Sequence, residues 1–137
     1  MKVVLDTNVF ISGIFWEGNF CSQIIDAWRK EKFTLISSLE IIEELVSTLR
    51  DFKIYMSEEM ILEWKKIIIE NSLIVMTSSE LKIIEADPED NKFLEAGVDG
   101  GVDYIVSQDR HLLDVGDFRG IKIVLPERFL EVLEGVV

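Results

Sequence analysis

The chain of 137 residues is poor in several residue types at once: one cysteine, one histidine and two prolines. Its single cysteine, Cys21, excludes an intrachain disulfide framework and fits a reducing compartment. On its helix it reads as a small buried apolar group. His111, the lone histidine, excludes a site built from several imidazoles; within Arg110-His111-Leu112 it reads as a structural or exposed side chain. Long apolar runs are also missing, so no membrane span is expected. Asp6 and Asn8 break the first apolar run too early for a secretory signal, and the expected location is the cytoplasm. Positive charge is scarce as well. Lys and Arg number 14 against 26 Asp and Glu, a net charge of −12. That argues against a general nucleic-acid coat or a binder of anionic membranes, both of which need a basic surface. It leaves room for an enzyme whose acids hold divalent cations that bridge to phosphate, or for a protein that receives a basic partner.

What remains is an ordinary globular mixture, 48% hydrophobic and 29% charged. The length predicts one domain, residues 1–137, able to bury about two-thirds of its unfolded surface. There is no internal repeat, low-complexity tract or Gly/Ser linker. Five short apolar runs rich in β-branched residues predict buried strands: Val3–Leu5, Phe33–Ile36, Leu73–Met76, Tyr104–Val106 and Ile121–Leu125. Between them lie helical patterns. Phe20, Ile24, Ala27 and Trp28 space as one face; Leu39, Ile42, Val46 and Leu49 as another, with Ser38 as N-cap; Met60, Ile61, Trp64, Ile67 and Ile68 as a third, after Ser57. Asp87-Pro88 opens a fourth helix that should stop near Gly100-Gly101, and Pro126 starts a last one through about Leu133. Alternating strands and helices predict an α/β fold: a central parallel sheet of five strands with helices on both faces and right-handed crossovers. Ligands of such sheets bind beyond the carboxyl ends of the strands, where strand order reverses.

Acids stand at those ends. The first strand runs into Leu5-Asp6-Thr7-Asn8 and the fourth into Val106-Ser107-Gln108-Asp109. A strand-end Asp also serves simply to cap the next helix. Asp90 falls in the first turn of its helix, where an acid meets the positive dipole end, or where it could reach back toward Asp87 as a capping-box residue. Glu43 and Glu44 flank the apolar face of their helix on opposite edges, and periodicity does not choose between them; a solvated glutamate is the plain reading of either. Lys92 and Arg110 adjoin two of the acids and read as surface charge, although either could meet a phosphate. Phe15, Trp16 and Phe20 read as packing residues rather than base-stacking platforms, with Trp16 near Gly18 also suited to a partner surface.

The opening MKVVLDTNVFISG resembles that of PIN-domain proteins, whose Asp-Thr-Asn follows a hydrophobic strand. Ser38–Leu45 resembles the second motif of that family, in which an acid precedes Leu; Asp87–Ala96 resembles the third, Asp103–Asp109 with Leu112-Leu113 the fourth, and Ile121–Leu130 the final strand, Pro and short helix. The motifs follow in order over most of the chain, and the subgroup they resemble most is the VapC-type toxins. The resemblance implies a three-layer α/β/α fold and a divalent-metal ribonuclease. Its acidic set maps to Asp6, Glu44, Asp90 and Asp109, with Glu44 rather than Glu43 because the family's acid directly precedes Leu45. Asp6, Asp90 and Asp109 would be metal ligands, and Asn8, Asn91 and Ser107 accessory polar groups. Ser107 stands where Thr is common and keeps the hydroxyl; Gly97 stands where Ala is common. One or two Mg²⁺ or Mn²⁺ ions suit carboxylate ligands, and no His/Cys cluster is available for zinc. Such ions support in-line attack of water on an RNA phosphodiester and stabilise the departing 3′ oxygen. The resemblance further implies a homodimer and a small antitoxin whose basic segment would complement the −12 charge. A PIN-like interaction module without catalysis and a standalone RNA-processing nuclease are the alternatives. Three other readings of the fold class fail at the site. A haloacid-dehalogenase phosphatase needs a second Asp where Asn8 stands. A receiver domain needs paired early acids and a late strand-end Lys. A Rossmann domain needs G-x-G-x-x-G after the first strand.

Overall fold

A computed structural model describes residues 1–135, so the last two positions of the expected 1–137 domain lie outside the described residues. The strands are β1 (Lys2–Leu5), β2 (Thr34–Ser37), β3 (Leu73–Ile74), β4 (Tyr104–Val106), β5 (Asp117–Phe118) and β6 (Ile121–Val124). The helices are α1 (Thr7–Phe15), α2 (Phe20–Arg29), α3 (Leu39–Asp51), α4 (Glu58–Glu70), α5 (Asn91–Gly100), α6 (Arg110–Leu113) and α7 (Pro126–Leu133), with a 3₁₀ turn at Pro88–Asp90 before α5. The strands form one sheet in the order β3-β2-β1-β4-β6-β5. All neighbours are parallel except β5 and β6.

Among the described residues the sheet therefore has six strands, not the five parallel ones expected. The extra strand is the first arm of a hairpin. Arg119 and Gly120 form its two-residue turn with φ of 51° and 84°, the left-handed pair that matches the twist of flanking strands. Its arm is only two residues long, too short to show alternation. An antiparallel edge strand on a parallel sheet is a common addition.

Strand alternation divides the core between the two faces. Val3, Leu5, Leu35 and Val106 point into one cluster with Val9, Phe10, Ile24, Trp28, Leu45, Leu49 and Phe129. Val4, Ile36 and Ile105 point into the other with Phe93, Leu94, Ala96, Leu112, Ile121 and Ile123. The result is the three-layer α/β/α arrangement. α3 lies along the boundary, since Ile42, Leu45 and Leu49 join the first cluster while Ile41 joins the second.

Side-chain caps set several helix starts. Asn19 accepts from Ser22 N at 2.7 Å, Ser38 from Ile41 N at 3.3 Å and Ser57 from Met60 N at 3.2 Å. α5 stops at Gly101, which adopts φ 62°, a left-handed cap that glycine takes without strain. The predicted helix faces are right in position and too wide at their ends. Phe20, Leu39 and Met60, each in a first turn, are exposed. Phe15 stacks on Phe52 at 4.8 Å between ring centroids, Trp16 meets Phe52 edge-on at 6.0 Å, and Trp16 keeps 42% of its surface exposed. Cys21 is buried.

The α1–α2 crossing depends on Gly13. A Cβ there would lie 2.5 Å from Ile25 Cγ1 and 2.8 Å from the Cys21 carbonyl oxygen, and a backbone oxygen cannot swing aside. Gly13→Ala is expected to cost about 1–3 kcal/mol of stability by overpacking, read as a lower urea midpoint at unchanged slope. An unchanged midpoint would show that the helices separate freely.

Candidate active site

The strand order reverses between β1 and β4, which leave the sheet side by side. Asp6 N donates to Val106 O at 3.1 Å, carrying the ladder up to the first acid. Asp6 is 3% exposed. One of its carboxylate oxygens accepts from Val9 N at 3.0 Å, capping α1; the other accepts the hydroxyl of Ser107. Ser107 is fully buried, and its oxygen also accepts from Asp109 N at 2.9 Å. A single hydroxyl thus ties the ends of two strands together. Asp109 caps α6 by accepting from His111 N at 2.8 Å. Both strand-end acids are helix caps, and capping does not remove them from the crevice.

Asp90 arrives from the opposite layer, on the 3₁₀ turn ahead of α5. It makes no side-chain capping bond. It does not act as a capping-box acid: its Oδ2 is buried with no hydrogen-bond partner among the described residues. Glu44 enters from α3, where it accepts the Thr7 hydroxyl on one oxygen and Lys92 Nζ at 2.8 Å on the other. Glu43 is exposed and lies outside this cavity. One cavity of about 220 Å³ is lined by Asp6, Asn8, Glu44, Asp90 and Asp109, together with Thr7. Ser107 is buried and does not line it, but holds Asp6 through its hydroxyl. Among the described residues, the group of three side chains whose donor atoms all lie within 4.8 Å of one another is Asp90, Asp109 and His111. Asp6 lines the same cavity and is outside that group.

The charges in this cavity oppose one another. Burial is the largest influence on Asp6 and raises its pKa from 3.8 to about 6; Ser107 and Val9 N–H pull it down, and the charge of Asp109 pushes it up. Burial also leads at Asp90, raised from 3.8 to about 7, with Asp109, Asp87 and Glu44 adding to the rise. A hard cation fits this set. The donors are carboxylate oxygens, and a buried carboxylate oxygen lacks a partner while its neighbours repel its charge.

These shifts set a pH dependence. In the unfolded chain both acids ionise near pH 4, whereas in the folded chain they keep their protons until about pH 6 and 7. Between those limits the folded state binds more protons, so stability falls as pH rises. For Asp6 the shift from 3.8 to about 6 is worth on the order of 3 kcal/mol. Metal-free protein is expected to melt roughly 10 °C lower at pH 8 than at pH 5, with excess divalent ion abolishing the loss. A flat melting profile would refute the buried repulsion.

Three residues that the sequence does not mark out touch the acids: Thr7 lines the cavity, Lys92 donates to Glu44, and His111 lies beside Asp109. Lys92 was expected on the surface, yet its side chain is 13% exposed between Glu44 and Glu89. Burial lowers its pKa, but Glu44 and Glu89 outweigh that and the net direction is upward. Arg110 is surface charge as expected, near Asp114. Asn91 is a structural residue: its amide spans Ile83 N, Ile84 N, Ile84 O and Pro88 O at 3.0–3.1 Å, pinning the segment that delivers Asp90. Asn's four hydrogen-bonding valences at a helix start were the available signal for that role.

Comparison with known proteins agrees with this architecture. No curated protein matches the chain significantly. VapBC2 from Rickettsia felis, solved bound to a DNA fragment from its promoter, superposes with TM-score 0.62 at 12% identity, covering 91% of this chain and 98% of that one. PAE2754 from Pyrobaculum aerophilum gives 0.63 at 14%, covering 98% and 90%. FitAcB from Neisseria gonorrhoeae gives 0.53 at 12%, covering 91% and 98%. At these identities the likeness is one of fold. Among the described residues, no helix is long and apolar enough to cross a membrane. A family profile described as PIN domain matches residues 2–111, well over half of the sequence, and the chain belongs to the PIN-domain family.

Proposed function

We propose that the protein is a divalent-metal-dependent endoribonuclease and the toxin component of a toxin–antitoxin pair. The observation that carries the nuclease reading is the buried, unpartnered Asp90 Oδ2 in a cavity shared with Asp6, Glu44 and Asp109. When bound there, Mg²⁺ or Mn²⁺ supplies charge neutralisation at the phosphate and a more acidic water. The chain's own residues do the positioning. Ser107 and Val9 N–H fix the Asp6 carboxylate; Thr7 and Lys92 fix Glu44; the α6 cap fixes Asp109. Asp6, Asp90 and Asp109 are the metal ligands of this reading, and Glu44 completes the acidic set. Asn8, exposed at the cavity rim, is placed to meet the RNA backbone.

A groove of about 970 Å³ adjoins the cavity and shares Glu44 and Thr48 with it. Its walls carry six glutamates and two lysines. That charge, with the −12 of the whole chain, suits the basic segment of a small antitoxin protein. The resemblance to VapC-type toxins supports this partner and a homodimer.

The test is cleavage of a mixed RNA panel with Mg²⁺, Mn²⁺ or EDTA. Wild type is expected to cut only with metal, and Asp6→Asn and Asp109→Asn to lose about a thousandfold in rate, several kcal/mol of transition-state stabilisation. Wild-type rates in both variants would overturn the reading. Absence of any metal-dependent thermal shift would favour a non-catalytic interaction module instead.

A further inference from the structure

The acidic cavity has an imidazole at its edge that the carboxylate scheme does not use. His111 lies in the first turn of α6, which is held down by the fully buried Leu112 and capped by Asp109. Its Nδ1 is 3.6 Å from Asp109 Oδ1, too long for a hydrogen bond. Two donors on one ion with bonds of about 2.1 Å sit roughly 3.0 Å apart when adjacent and 4.2 Å when opposite. The Asp109–His111 separation of 3.6 Å falls between those values, and Asp90, Asp109 and His111 offer donor atoms all within 4.8 Å of one another, so that only small side-chain rotations are needed to close them onto one ion. The third member brings an independent sign of a missing ligand, since Asp90 is 8% exposed and its Oδ2 has no partner. The side chain of His111 is half-exposed, so it can turn without disturbing the core.

We propose that His111 is a metal ligand of this site, giving with Asp90 and Asp109 a mixed nitrogen–oxygen set that selects first-row transition ions over Mg²⁺. The inference rests on the metal-site reading above. Mg²⁺ prefers oxygen ligands and keeps its waters, whereas imidazole strengthens binding along the series from Mn²⁺ toward Co²⁺. Neutral imidazole is also the commonest protein ligand to such ions.

The experiment titrates the metal-free full chain with Co²⁺ and with Mg²⁺, followed by calorimetry and, for Co²⁺, by visible absorption. Wild type is expected to bind Co²⁺ at least about tenfold more tightly than Mg²⁺. His111→Ala is expected to weaken Co²⁺ by about tenfold or more, to alter its visible spectrum, and to leave Mg²⁺ within about twofold. His111→Asp, which restores an oxygen donor, is expected to narrow the Co²⁺/Mg²⁺ gap. If His111→Ala binds Co²⁺ as wild type does, with the same spectrum, while Asp109→Asn loses binding, the histidine is not a ligand although the carboxylate site stands. If wild type binds neither ion, the metal-site reading falls and this inference with it.

Discussion

Asp90→Asn is expected to remove RNA cleavage and, at the same time, to make the metal-free protein more stable at pH 8. The substitution keeps the shape of the side chain and deletes its charge. That charge is costly in the folded state because Asp90 is buried and faces Asp109, Asp87 and Glu44. With its pKa raised to about 7, the carboxyl is ionised at pH 8 only against this opposition. Removing the charge is expected to raise the unfolding free energy in EDTA by on the order of 2 kcal/mol, read by urea denaturation. The sign is decisive. At pH 5 the native carboxyl holds its proton while the unfolded one, with its pKa of 3.8, has already ionised, so the gain should shrink there and vanish only below about pH 4. Cleavage should fall by about a thousandfold because a neutral amide is a poor ligand for a hard cation. A variant less stable than wild type at pH 8, or one that still cleaves, would show that Asp90 is a structural acid. The inverse relation between stability and activity is what a site built from repelling charges predicts, and added divalent ion should reverse the ranking of the two proteins.

The second large effect lies in the core. Phe129, on the short helix α7, is fully buried. Its ring meets Phe33 edge-on at 5.2 Å between centroids and tilts over Tyr104 at 5.8 Å. Through these contacts α7 covers the first core cluster at the starts of β2 and β4. Phe129→Ala is expected to destabilise by about 3–5 kcal/mol, the transfer loss plus the cavity left behind. Phe129→Leu, which keeps most of the volume, should cost much less. Urea midpoints of the two variants measure the difference. A loss below about 1 kcal/mol for Phe129→Ala would mean that α7 is an ornament of the fold rather than part of its core.

Much of this molecule is written locally. β-branched runs mark five of the six described strands, but β3 keeps only two residues of its expected run, with Leu73 and Met76 exposed, because it lies at the sheet edge. Ser38, Ser57, Pro126 and the Gly100-Gly101 pair mark helix ends because each acts within a few residues of itself. Asp6, Asp90 and Asp109 could be singled out for the same reason: each sits at the end of a readable element, where an α/β sheet exposes its chemistry. α1 has no legible helical pattern, because its apolar residues run almost uninterrupted, Val9 to Ile11 then Ile14 and Phe15, and give no polar face.

The amino-acid order by itself determined the fold class, the positions of five of the helices and which acids stand at element ends, but not α1, α6 or the 3₁₀ turn ahead of α5. Only the tertiary structure decided how those acids are held. Glu44, which the motif resemblance already prefers to Glu43, is held at the cavity by Thr7, 37 residues away, and by Lys92, 48 residues away. The hydroxyl that ties β1 to β4 reaches across 101 residues, from Ser107 to Asp6. His111, unremarkable beside Arg110, gains its meaning from Asp90 on a separate helix turn. Periodicity and caps report forces that act within a turn or a strand. The electrostatics of the cavity come from side chains that meet only when the sheet brings its strand ends together, and no local pattern encodes that meeting.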